Sequence, residues 1–423
     1  MESFEKFDNG RIEIQFDENF YDKEKDTFGI WRWVKSSDAE LSLKYNGDGK
    51  RDYEVEFELL TPISNRKFTS DIYLDNVLWG HIVGPCKVVI PLTLISDQKK
   101  VIRVRCNTSQ ICFPNDNREL YFQFRNYSVH MEPHYINDTI QSVRKVQIEL
   151  LKKLIEVCEV YKLNYYAIYG TLLGIIRNQN YLPWDDDIDI CMPRKDFNKL
   201  LSLDKDGDVF GSKYFLQTMY SDENVFFGGY AKLRDNDTTG ITEYTYQKEC
   251  NNGIWIDIFP LDECKDMINQ HKKISLIQGV LCYKTDKNDG RYRSCLKWNR
   301  GIALLAGAVN RKFWCKKLDK YLEKYYNKEK TYYAILARIL PVDKVNRFKK
   351  EWFEEYEIKK FGDLDLRIPF MYDECLKELF GYNYMVYPDV SMRRPHKGVY
   401  YNTEIAYADG SKLYEDQVRG MDL

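Results

Sequence analysis

The chain has 423 residues, 44% of them hydrophobic and 15% aromatic, too long for one ordinary core, so two domains are expected. Its 63 basic and 65 acidic residues leave a formal net charge of −2, which excludes a general nucleic-acid binder. Eleven cysteines, an odd number with no Cys-x-x-Cys pair, speak against a disulfide framework or a zinc ribbon and for a reducing compartment.

The first residues, Met1 to Asp8, show no basic segment followed by an apolar one, so no secretory signal is expected. The longest apolar runs, 274–283 and 301–309, are about half of what a membrane span needs. A cytoplasmic protein is the expectation. The 33 tyrosines offer large contact areas with polar tips, which suits sugar-rich or wet sites, or they reflect a drift in base composition.

Residues 1–135 read as β structure. Alternation is clean over 11–16, 53–59, 101–105 and 120–124, with Gly, Pro and Asn punctuation such as Asn46-Gly47-Asp48-Gly49. This predicts an N-terminal all-β sandwich. Trp31, Trp33 and Trp79 read either as a sugar-stacking face, with a carbohydrate-binding-like or dimerising role, or as core. A boundary falls at 133–138. Asn137 or Asp138 caps a helix from Thr139 to about Tyr161, with Ile140, Val143, Val146, Leu150, Leu154 and Val157 as a core stripe.

Residues 165–169 read as a short strand. Gly170-Thr171 and Gly174 then form a small-residue turn of the kind that lets backbone N–H groups approach a phosphate, followed by a helical turn over 172–177. Next comes Pro183-Trp184-Asp185-Asp186-Asp187-Ile188-Asp189-Ile190. On a strand, Asp185, Asp187 and Asp189 share one face, Asp186 takes the other, and Ile188 and Ile190 enter a core. Three carboxylates on one face repel, and a hard divalent cation is the simplest group that holds them ionised together. Strand, Gly-Thr turn, helix and Asp-x-Asp strand is the order found in nucleotidyltransferase folds of the polymerase-β type.

Residues 194–203 read as a helix. Lys232 and Arg234 lie on one face of the strand 230–234, either as a solvated edge or as phosphate ligands. In Ile254-Trp255-Ile256-Asp257-Ile258-Phe259-Pro260 a carboxylate stands inside an apolar strand. Uncompensated, it costs several kcal/mol. Asp257 is therefore expected either to pair with an arginine or, the favoured reading, to be the third carboxylate of the cation site. Asp262 is expected in a turn. Residues 265–360 read as helical, with a basic, aromatic segment at 311–326 that is either a solvated face or a surface lying on anionic lipid. The tail is basic and turn-rich. His396, beside Arg393 and Arg394, reads as structural or as a phosphate ligand or acid.

Residues from about 150 to 398 resemble the LicD family of phosphotransferases, which includes bacterial phosphorylcholine transferases and is related to fukutin-type polyol-phosphate transferases. The resemblance rests on Gly170-Thr171-Leu172-Leu173-Gly174 with Arg177, on Pro183 to Ile190, on Ala231-Lys232-Leu233-Arg234, on Ile256 to Leu261, and on Phe380-Gly381-Tyr382 to Arg393-Arg394-Pro395-His396. It implies a nucleotidyltransferase-like fold and leaves the β module unexplained; with the β-sandwich of 1–135, the expectation is an α+β chain whose catalytic domain spans 136–423. It also implies transfer of a substituted phosphate from a CDP-activated donor to a glycan hydroxyl, with release of CMP. Asp187 and Asp189 match the metal-binding Asp-x-Asp, Asp257 the third carboxylate, and Gly170 and Thr171 the phosphate turn. Tyr169 departs from the family, which often has glycine there.

The expected mechanism has Asp187, Asp189 and Asp257 holding one or two Mg²⁺ or Mn²⁺ ions. Arg177, Lys232 and Arg234 hold phosphate oxygens, and either Asp185 or Asp257 deprotonates the acceptor. The transferred group is phosphocholine, phosphoethanolamine, an aminoalkylphosphonate or a polyol phosphate. The acceptor is a cell-surface glycan or its lipid-linked precursor, met in the cytoplasm or at the inner face of the membrane. Two rivals stand beside this reading: a nucleotidyltransferase that releases pyrophosphate, and a non-catalytic glycan-binding protein whose aspartates hold a structural Ca²⁺.

Overall fold

The computed structural model describes residues 4–27, 29–61, 67–205, 209–246, 248–286, 309–328, 331–396 and 398–421. The apolar run singled out at 301–309 lies outside them except for Val309. The chain is mixed α/β and divides into two compact units, residues 1–134 with 380–392, and 135–379 with 393–423.

The first unit carries β1 (Phe4–Phe7), β2 (Ile12–Phe16), β3 (Glu24–Asp26), β4 (Gly29–Trp33), β5 (Asp38–Tyr45), β6 (Lys50–Leu60), β7 (Phe68–Leu74), β8 (Val77–Gly84), β9 (Cys86–Ile95), β10 (Lys99–Asn107), β11 (Ile111–Phe113), β12 (Asp116–Leu120) and β13 (Gln123–Met131). They form an antiparallel sheet in the order β1-β2-β5-β10-β7-β8 and another in the order β3-β4-β13-β6-β9. Alternation sends Ile12, Ile14 and Phe16 of one sheet, and Val55, Phe57 and Phe124 of the other, into one shared core. The strand expected at 120–124 is broken between β12 and β13, where Tyr121 and Phe122 instead bond to both backbone groups of Val34. The three tryptophans do not make one face. Trp31 and Trp33 are on β4, Trp79 is on β8 of the other sheet, Trp33 is buried, and Trp79 packs against the core.

Segment 380–392, expected in the second domain, groups with the first unit. The cause is local. Val83 donates its N–H to Asn383 Oδ1 at 2.7 Å, and Asn383 Nδ2 donates to the Val83 carbonyl at 2.9 Å. Gly80 has no side chain where Met385 packs, and a Cβ there would meet it at 2.9 Å.

The second unit opens with α1 (Asp138–Tyr161). Asn137 Oδ1 accepts from the Ile140 N–H at 2.9 Å, and Lys162 closes the helix in the left-handed conformation. β14 (Tyr166–Ala167), α2 (Tyr169–Asn178), β15 (Asp189–Pro193) and α3 (Arg194–Leu203) follow, then β16 (Tyr214–Gln217), β17 (Ala231–Asp235), β18 (Thr239–Thr242) and β19 (Ile254–Cys264). The central sheet runs β14-β15-β19-β17-β16, with β20 (Tyr332–Ala334) added to β19. β15 and β19 are parallel and the other pairs antiparallel. β19 packs against α1 and α3, and its near-continuous apolar run matches its burial along almost its whole length.

Asp262 is not in a turn. β19 continues through it, and its fully buried carboxylate accepts from Arg194 Nε and Nη2 at 2.7 and 2.5 Å. The cation on α3 lets the strand run past a residue that would otherwise end it. Residues 265–360 are only partly helical. α4 (Met267–Thr285) and α5 (Arg311–Leu322) bury a shared core, but β20 and β21 (Tyr356–Phe361) occupy the later part. β22 (Leu364–Pro369), α6 (Tyr372–Phe380), β23 (Gly398–Asn402) and α7 (Tyr407–Met421) complete the described chain. In α5, Cys315, Leu318 and Leu322 face inward, while Lys312, Lys316 and Lys320 are exposed. Among the described residues, no helix is long and apolar enough to cross a membrane.

Candidate active site

Strand register builds the site's floor. Asp189 of β15 pairs with Asp257 of β19, Asp257 with Lys232 of β17, and Lys232 with Gln217 of β16. Paired residues point to the same side of a sheet. The row Asp189–Asp257–Lys232–Gln217 therefore crosses four strands on one face. Lys232 Nζ lies 2.5 Å from Asp257 Oδ1, and Trp255 and Tyr230 line the ammonium at 4.7 and 5.5 Å. The partner that Asp257 was expected to need is thus a lysine, with Asp189 beside it.

Only Asp189 of the four clustered aspartates lies on a strand. Residues 185–188 are an irregular segment after a turn at Pro183 and Trp184, so alternation does not orient them. Helix α1 does. Arg144 Nε donates to the Asp185 carbonyl at 2.9 Å and Nη2 to the Leu182 carbonyl at 2.8 Å. Gln147 Nε2 donates to the Asp186 carbonyl at 2.8 Å, and its Oε1 accepts from the Tyr181 hydroxyl at 3.1 Å. Asp186 does not turn away as expected. Its Oδ1 accepts from the backbone N–H and Nδ1 of His396 at 3.0 and 2.9 Å, and its Oδ2 is buried without a partner.

Two carboxylate groups result, sharing Asp187. Oxygens of Asp187, Asp189 and Asp257 lie within 4.8 Å of one another, as do ligand atoms of Asp185, Asp186, Asp187 and His396. Burial, then the charges of Asp187 and Asp257, pushes the Asp189 carboxyl well up. Burial, then Asp187, does the same to Asp185. Burial also raises Asp187, against the opposing charge of His396. His396 is pushed up to about 10, first by its bond to Asp186 and then by Asp187. Crowded hard oxygens that resist ionisation are the donor set a small divalent cation relieves, so the first group fits Mg²⁺ or Mn²⁺.

The Gly-Thr turn also supports the carboxylates. Both residues belong to the first turn of α2. A Cβ on Gly170 would stand 2.4 Å from Asp185 Oδ2, so glycine admits that carboxylate. Thr171 is buried, and its Oγ1 accepts from the Asp189 N–H at 2.8 Å. Tyr169 has φ +50, the left-handed region that favours glycine, which explains why glycine suits this position. Arg177 stands in the last turn of α2, about 10 Å along the axis from Gly170. Arg234 is 1% exposed, and its Nε and Nη1 donate to Gln217 Oε1 and the Gly253 carbonyl, each at 2.5 Å.

Sequence reading missed four residues here. Gln147 carried a signal, a polar side chain in an otherwise apolar stripe, and Arg144 lies three residues before it. Tyr401 stacks on Trp255 at 6.4 Å, and burial, then Asp186 and Asp187, raises its hydroxyl. Arg338 lies over the Tyr169 ring at 4.8 Å, close enough to feel Asp189. Neither of the last two sits in a pattern that would have marked it. Beyond the edge strand, Phe215, Tyr246, Asn251, Tyr407 and Ser411 line a cleft of about 880 Å³.

Residues 162–276 match the family described as LicD/FKTN/FKRP, nucleotidyltransferase domain. The chain is 25% identical over 277 residues to the lipopolysaccharide cholinephosphotransferase LicD of Haemophilus influenzae, covering 61% of this chain and 96% of that protein. Solved structures with weak likeness include a family 35 carbohydrate-binding module from Clostridium thermocellum, 11% identical over 31% of this chain and 99% of that one, TM-score 0.20. Another is a family 36 module in complex with calcium and xylotriose, 13% identical over 28% of this chain and 98% of that one, TM-score 0.15.

Proposed function

This chain belongs to the LicD family of phosphotransferases through its domain at 162–276, and we propose that it transfers a substituted phosphate from a CDP-activated donor to a glycan hydroxyl. The observation that carries the reading is the convergence of Asp187, Asp189 and Asp257, beside a relative named for cholinephosphate transfer to lipopolysaccharide. The parallel pairing of β15 with β19, fed by the α2 turn, supports a nucleotidyltransferase-type catalytic fold.

Asp187, Asp189 and Asp257 are the residues that would hold Mg²⁺ or Mn²⁺. When bound, the ion supplies positive charge against the donor's diphosphate. Lys232 fixes the Asp257 carboxylate on the side away from Asp189, which sets its orientation. Asp186 fixes His396 as a cation at the rim. The acceptor hydroxyl oxygen forms the new bond to the phosphorus that bears the head group. The bond from that phosphorus to the CMP oxygen breaks, and CMP leaves. Asp185 takes the hydroxyl proton. Its carboxyl is pushed up by burial and by Asp187, whereas Asp257 is already engaged by Lys232. The cleft beyond β16, with its aromatic and amide lining, is of a size and character for saccharide units. The exposed lysines of α5 are a surface for an anionic membrane that carries a lipid-linked acceptor.

The test is CMP release from a panel of CDP-alcohols with Mg²⁺. Asp187→Ala is expected to lower turnover on the order of a thousandfold, about 4 kcal/mol of transition-state stabilisation. The fold should survive, since Asp187 sits in a loop with its side chain 23% exposed. Near-normal turnover by this variant removes the reading, and release of pyrophosphate instead of CMP replaces it with nucleotidyl transfer.

A further inference from the structure

Arg338 lies outside every motif recognised in the sequence, yet the fold holds its turn from two sides. Gln278 of α4 is fully buried, and its Nε2 reaches the carbonyls of Leu336, Ala337 and Arg338 at 3.5, 3.1 and 3.3 Å. Opposite, Gly228 bridges to Arg338 with φ +126, and a Cβ on it would lie 2.0 Å from the Ala337 carbonyl oxygen. The next residue, Gly229, donates its N–H to that same oxygen at 2.9 Å. A buried glutamine and a left-handed glycine are specific requirements for this one turn.

The turn delivers a guanidinium to the carboxylate cluster. Arg338 lies over Tyr169 and Phe259, at 4.8 and 5.5 Å from their ring centres. Tyr169 immediately precedes Gly170, against which Asp185 packs, and Phe259 is two residues beyond Asp257 on the same face of β19. The partners of Arg338 among the described residues are these ring faces and the Tyr169 hydroxyl, with no carboxylate paired to it. The two rings and the Tyr169 hydroxyl fix the guanidinium, and its remaining N–H groups suit a two-oxygen acceptor. Lys232 and Arg234 are committed inside the sheet, whereas Arg338 pairs with no carboxylate among the described residues.

We infer that Arg338 grips the transferred phosphate, its N–H fork donating to two non-bridging oxygens across from Asp187, Asp189 and Asp257. The inference rests on reading that cluster as a phosphate-transfer site. The alternative is that Arg338 only packs Tyr169 into its left-handed conformation.

The test titrates inorganic pyrophosphate with Mg²⁺ into the full chain by calorimetry, for wild type, Arg338→Lys and Arg338→Met. Methionine keeps the stem over the rings and removes the charge. The expected result is binding weakened about thirtyfold in Arg338→Met and several-fold in Arg338→Lys, which keeps a charge but not the fork. Millimolar guanidinium should restore part of the CMP release of Arg338→Met, which a packing role would not allow. If Arg338→Met does not fold, Arg338→Lys decides by weaker pyrophosphate binding at an unchanged unfolding midpoint. Wild-type affinity in the folded variants overturns the inference while leaving the phosphate-transfer reading intact. A wild type that binds no pyrophosphate overturns both.

Discussion

His396 donates twice to one oxygen of Asp186, through its backbone and its ring, so its position is set by the residue it neutralises. A histidine whose folded value is raised contributes stability that is complete below its ordinary value near 6.5 and is lost as pH rises through about 10. In metal-free protein the ring resonances of His396 should therefore stay in the imidazolium position from pH 5 to 8.5. Asp186→Asn should bring the midpoint back toward the ordinary value. A wild-type midpoint near 6.5, followed by NMR, would remove the pair. Some of this was readable. Asp257 announced itself because a carboxylate inside an apolar strand needs a partner. The Asp186–His396 contact did not, since it joins residues 210 positions apart and an assumed strand sent Asp186 the other way.

At the level of elements, α1 is more than a wall of the core. Its boundaries were legible because cap, stripe and left-handed close all agree, and α3 was legible over its whole length. What α1 does was hidden, because Arg144 and Gln147 act on the backbone of a loop that has no regular structure of its own. Gln147→Leu suits the burial of that position but leaves the Asp186 carbonyl without its donor. Turnover should fall about tenfold with helix content unchanged by circular dichroism, a loss of ~1.4 kcal/mol in positioning. Unchanged turnover would mean that the loop is held by its own turn. The region 325–360 was misread for a related reason: scattered lysines and tyrosines mimic a solvated helix, while Tyr333 and Phe348 exchange backbone bonds that only a folded chain brings together.

Across the molecule, each unit depends on residues far away in sequence. The first takes in 380–392 through Asn383. The second is pinned at depth by Arg194 and Asp262, both nearly without exposure. Breaking such a pair strands a charge in the core. Asp262→Ala should lower unfolding free energy by about 3–5 kcal/mol in urea titrations, whereas Arg194→Met with Asp262→Leu should recover most of it. A double variant as weak as the single would show that the pair is worth more than the packing that replaces it. Pattern reading gave the mixed architecture, but the depth of Asp262 depends on a neighbour that pattern does not supply.

The cross-strand row from Asp189 to Gln217 also makes the site sensitive to phase. Side chains on a strand repeat every two residues and rise about 3.3 Å each. One residue inserted in β19 ahead of Asp257 swaps an isoleucine onto the acidic face. Two inserted residues keep the face but slide the carboxylate some 6.6 Å along its neighbours. In either case all four columns lose alignment at once. The strands at 189–193, 231–235 and 254–259 can therefore exchange side chains one at a time but cannot change length, so an insertion that spares the site has to fall in the segments between them.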